Sequence, residues 1–165
     1  MTSADFIWRT ELYHAISVHF PIALLSLSAV TGLLYLVLRK KKIAGYLRFT
    51  TSFLLWIGFG CFWISFYTGN NAYPIVVREL CDPTVLKDHL YWVQVSGYLF
   101  GAAFLADVVY HCLKEKRFKT VANSVMLVGL LAGTATLAYA GHLGASVVYE
   151  QAGGVNVPTA DCDGF

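Results

Sequence analysis

Apolar runs of roughly 18 to 22 residues alternate with short charged blocks along the chain, and a run of that length lets one helix cross bilayer hydrocarbon. Four such runs stand out, at about 20–38, 49–66, 90–110 and 121–140. None shows the two-residue alternation of a barrel strand. The pattern therefore predicts an all-α fold: a single integral membrane domain over residues 1–165, built as an up-down bundle of four transmembrane helices. Composition agrees. With 57% hydrophobic and 13% charged residues, the chain leaves no segment from which a soluble domain could be made.

Local signals refine the boundaries. Thr10 and Glu11 suit a helix start, whereas Pro21 marks either a kink or the true first turn of the first span. Gly69-Asn70-Asn71 and Pro74 predict a turn-rich loop from about Thr68 to Cys81. Asp82-Pro83 reads as the cap and first position of the third helix. The fourth helix is expected to run past His142 toward Gln151 and to stop at Gly153-Gly154. Gly97-x-x-x-Gly101 and Gly129-x-x-x-Gly133 allow close helix approach. No long-period repeat is visible.

Charge gives these spans a direction. Arg39, Lys40, Lys41, Lys42, Arg48, Lys114, Lys116, Arg117 and Lys119 fall on one side, against Arg9, Arg78 and Lys87 on the other. Basic residues near span ends resist translocation, so the first side is expected to be cytoplasmic and both termini and the middle loop to lie outside, in a periplasmic or extracellular space. The N-terminus lacks the flanks of a cleavable signal, which makes the first span an expected anchor. Cys81 and Cys162 then share the oxidising side, where a disulfide is a candidate and two thiols the alternative. Cys61 and Cys112 read as packing residues.

The same orientation gathers His14, His19, His89 and His142 at the outer end, leaving His111 at the inner interface. Histidine at membrane depth is expensive unless bonded or liganded. Bundles build cofactor sites from facing helices, and haem iron accepts axial histidine, so one or two b-type haems are the economical expectation. Small residues in helical register with these histidines would leave flat space: Ala23 and Ser26 below His19, Ser96 and Gly97 below His89, Ala138 before His142. The first and third helices of an up-down bundle are diagonal, which favours His19 with His89. His142 would join His14, or bond a propionate or quinone. His14 and His19 lie about 140° apart around an ideal helix and do not suit one haem. A bonded position at the headgroup level, without cofactor, is the alternative. Asp107 is expected to reach a Lys or Arg of the inner turn.

His14 followed by Val18-His19-Phe20-Pro21-Ile22-Ala23-Leu24, together with the closing Gly141-His142-Leu143-Gly144-Ala145-Ser146-Val147-Val148-Tyr149 and Gly154-Val155, resembles a bacterial four-span membrane family that carries a domain of unknown function. The resemblance covers nearly the whole chain through short motifs, and Ala145 stands where that family often has glycine. Some relatives are fused to or encoded beside cytochrome c domains, which implies electron transfer through haem b. It also places His14, His19, His89 and His142 at the family's recurrent histidines. The expectation is an electron-transfer subunit rather than a stand-alone enzyme. It would work within a respiratory or photosynthetic complex, with other membrane subunits, a periplasmic cytochrome c or similar carrier, and a quinone as candidate partners. A cofactor-free anchoring subunit and a copper-binding membrane protein are the competing readings.

Overall fold

The computed structural model describes residues 9–155, which form five helices in chain order: α1 (Thr10–Ser17), α2 (His19–Leu38), α3 (Ala44–Val76), α4 (Thr84–Cys112) and α5 (Lys116–Tyr149). α1 and α2 make one continuous span, so four helices are long and apolar enough to cross a membrane. Pro21 explains the seam between them. Without an amide hydrogen it leaves the Ser17 carbonyl without its helical donor, yet Val18 keeps helical dihedrals of −62° and −27° and the chain runs on. Short turns join α2 to α3 and α4 to α5 at one end, the turn end. Arg9 donates to the Gly154 carbonyl at 3.2 Å at the other, the terminal end.

The helices outrun the sequence expectation at that terminal end. Where a turn-rich loop is predicted from Thr68, α3 continues to Val76 with Pro74 inside its last turn. Tertiary burial overrides the turn residues: Val76 packs with Leu80, Leu86 and Val147 in a small apolar cap over the end of the bundle. The next helix starts one residue later than expected, at Thr84 with Pro83 in the cap position, and Asp82 just before it accepts from the Thr84 hydroxyl at 2.6 Å and the Thr84 amide at 2.9 Å. These bonds, the hydroxyl first, hold its carboxyl below the usual range. The fourth span ends close to the expected place, at Tyr149, but the left-handed residue that closes it is Ala152 at φ +54°, followed by the Gly153 amide bonded to the Val147 carbonyl and by Gly154 at φ +70°.

The main core lies between all four spans and includes Leu25, Leu55, Phe62, Phe100, Met126 and Leu130. Its arrangement overturns the expectation that no repeat exists. Positions 14 and 89 both hold histidine, 75 residues apart, and the same interval relates the rest of the architecture. Leu55 and Leu130 are both fully buried. Gly58 lies against Leu25, and its equivalent Gly133 lies against Phe100, the equivalent of Leu25. The bundle is thus two helical hairpins, α1 to α3 and α4 to α5. Both start at the terminal end, so a rotation about the long axis of the bundle relates them.

Candidate functional site

The approximate axis passes between two imidazoles. His14, from α1, and His89, from α4, meet across the bundle diagonal with ring centres 6.5 Å apart and planes inclined at 76°. Each ring is fixed in the same way. His14 Nδ1 lies 3.0 Å from the Ser65 carbonyl on α3, and His89 Nδ1 lies 2.8 Å from the Ala140 carbonyl on α5; both bonds span 51 residues. A carbonyl only accepts, so Nδ1 carries the proton in each ring and Nε2 keeps its lone pair. The Thr68 hydroxyl, 3.5 Å from His14 Nδ1 and bonded to Ser17, steadies the first seat.

One turn beyond each carbonyl is a glycine that makes room for the ring. A methyl group added at Gly69 would stand 2.8 Å from His14 Cε1, and one at Gly144 would stand 3.2 Å from His89 Cε1. The first distance demands displacement of the ring; the second asks for a few tenths of an ångström. Gly69→Ala is therefore expected to break the Ser65 bond, and Gly144→Ala to perturb its counterpart far less. Nitrogen-15 NMR of labelled histidines checks this: His14 should lose its Nδ1–H form in the first variant, while His89 keeps it in the second.

The other expected ligands are elsewhere. His19 is exposed, with Nδ1 turned back to the Ile16 carbonyl at 3.3 Å, and His142 is exposed on α5. The diagonal of first and third spans is the expected one, but its first-span member is His14, because the five-residue offset turns His19 away from the axis. His14, which spacing offered as a partner for His142, faces His89 instead. Among the expected small residues, Ala23 is exposed, whereas Ser26 and Ala138 line a groove between α2 and α5. Ser96 is fully buried and bonded to Trp92 and Thr136, and Gly97 is covered by Phe62. Cys81 is exposed, and Cys162 lies outside the described residues.

A second constellation occupies the turn end, where Asp107 meets the basic partner expected of it, Arg48. Asp107 is fully buried on α4; its Oδ1 accepts from Arg48 and from Ser52 at 3.1 Å, and its Oδ2 accepts from Trp56 Nε1 at 2.8 Å. His111 Nε2 approaches Oδ2 at 3.6 Å from the surface, and Arg48 lies over the Tyr110 ring at 4.1 Å. The signal was present: Arg48, Ser52 and Trp56 recur at steps of four, as do Asp107 and His111, one polar stripe on each of two apolar helices. A carboxylate so fully satisfied acts as a lock between α3 and α4.

Among the described residues, no group of three His, Cys, Asp or Glu side chains stands close enough to hold a metal ion. An ion at the imidazole pair would therefore draw two ligands from the protein. Comparison with known proteins returned no match among family models, curated proteins or solved structures.

Proposed function

We propose that the chain is a b-type cytochrome subunit of a bacterial cytoplasmic membrane, with His14 and His89 as the axial ligands of one haem near the periplasmic face. The observation that carries this reading is the 6.5 Å between the ring centres of two half-buried imidazoles with free Nε2 atoms. Two histidines binding one metal from opposite sides, with metal–nitrogen bonds of about 2 Å, have ring centres about 6 Å apart. Haem provides four further nitrogens itself, so a pair of imidazoles completes the iron, whereas zinc sites usually recruit three or four protein ligands. The exposed positions of His19 and His142 favour one haem over two.

When bound, haem supplies one-electron chemistry at its iron. The chain does the rest. Ser65 and Ala140 orient the two rings through the Nδ1 bonds and fix the tautomer that presents Nε2, as outer partners of ligating histidines do. The cap of Val76, Leu80, Leu86 and Val147 keeps water from the terminal end. An electron carrier of this kind exchanges with other membrane subunits or a periplasmic carrier, and the histidine motifs that resemble the cytochrome c-associated family fit that role.

A visible spectrum with a haem-to-protein ratio tests the reading. Protein purified from a haem-replete host should show a Soret band, a sharp reduced alpha band and about one haem per chain. The steep inclination of the ring planes predicts a strongly anisotropic low-spin EPR signal. A colourless, iron-free preparation overturns the cytochrome and leaves the anchoring subunit.

A further inference from the structure

The internal repeat also exposes a difference between the two halves. Along the seam of α3 and α4, Phe62 covers Gly97 and Phe59 covers Gly101, where an added methyl group would stand 3.0 Å and 3.7 Å from the two rings. Trp63 and Phe66 complete a cluster of four rings, with Trp63 5.7 Å from Phe66 and 6.0 Å from Phe59 between centres. The equivalent seam of α2 and α5 replaces Phe59, Phe62, Trp63 and Phe66 by Thr134, Leu137, Ala138 and Gly141. The two glycines become Ile22 and Ser26. These six replacements are the residues that line the groove, a cavity of about 210 Å³. One half of the molecule thus fills with its own aromatic rings the space that the other half leaves open.

The groove opens sideways, since Ile22, Ala138 and Gly141 are exposed on a membrane-spanning face. Ser26 is half-buried within it, and among the described residues its hydroxyl makes no hydrogen bond, unlike Ser28 and Thr31 on the same helix. A hydroxyl left free at hydrocarbon depth calls for an acceptor. The occupant is therefore flat, apolar, lipid-soluble and edged by a carbonyl. The geometry points to an isoprenoid quinone, its ring seated between α2 and α5 where the other half places four aromatic side chains, and its carbonyl accepting from Ser26. An acyl chain lacks both the planar shape and the acceptor. The groove stands apart from the haem reading, since no histidine of the pair lines it.

Equilibrium dialysis of the purified full-length protein in detergent, with menadione as probe and palmitate as comparator, tests this. Wild type should take up about one menadione per chain, saturably. Ala138→Trp, which restores the side chain of the other half, should weaken uptake at least tenfold. Ser26→Ala, a change too small to disturb the fold, should weaken it about fivefold through one lost hydrogen bond. Leu33→Trp, on a lipid-facing part of α2, should leave it unchanged. Absence of saturable uptake by wild type, or full uptake by both groove variants, overturns the site. Palmitate bound as tightly and lost equally in Ala138→Trp would assign the groove to acyl chains and overturn the quinone. Haem content, measured on the same samples, reports separately on the cytochrome.

Discussion

Replacing either His14 or His89 by alanine is expected to reduce haem content at least tenfold, while His19→Ala and His142→Ala retain it. The asymmetry follows from position. His14 and His89 face each other across the diagonal with Nε2 unengaged, whereas His19 and His142 project from the bundle. Alanine at position 14 or 89 removes only the imidazole donor to the Ser65 or Ala140 carbonyl, and each lies within a helix that supplies its backbone donor, so folding should survive. Haem-to-protein ratios on monodisperse samples decide the matter. Full haem in the double variant His14→Ala/His89→Ala would remove this pair from the site; loss in His19→Ala alone would restore the ligand set favoured by sequence spacing.

At the turn end, the largest effect on stability is expected from Asp107→Ala. Removing one member of a buried ion pair strands the other charge, a loss of about 3 to 5 kcal/mol. Arg48, with 7% of its side chain exposed, is the residue stranded here, and Ser52 and Trp56 lose an acceptor with it. His111, whose side chain is 54% exposed, contributes through a solvent-screened contact, so His111→Ala should shift stability by less than about 1 kcal/mol. Denaturation followed in mixed micelles would order the variants. Equal stability of Asp107→Ala and wild type would show that the aromatic packing of α3 on α4 suffices without the lock.

The bundle itself was readable because length and apolarity are enough to announce a membrane span. The helix ends were less so: Gly69, Asn70, Asn71 and Pro74 are turn residues by local preference, and only Val76 packing on Leu86 and Val147 makes them helical. The diagonal was legible from topology, but not its member. A five-residue spacing separates the faces of His14 and His19 without saying which face turns inward. That answer comes from the carbonyl of Ser65 and the bare backbone of Gly69, on a helix 51 and 55 positions further along. The repeat is hidden in the sequence for a related reason. It preserves where side chains sit and what space they leave, while Leu25 becomes Phe100 and Arg48 becomes Asn123, so letters diverge where shapes agree.

The bond from Arg9 to the Gly154 carbonyl brings the two described ends of the chain together, at the same end of the molecule as the link between the hairpins, residues 77–83. Which hairpin comes first is therefore immaterial to the assembled form. A permuted gene that opened the chain in that link and bridged Val155 to Arg9 would be expected to insert each hairpin in its original sense, with the two imidazoles meeting as before.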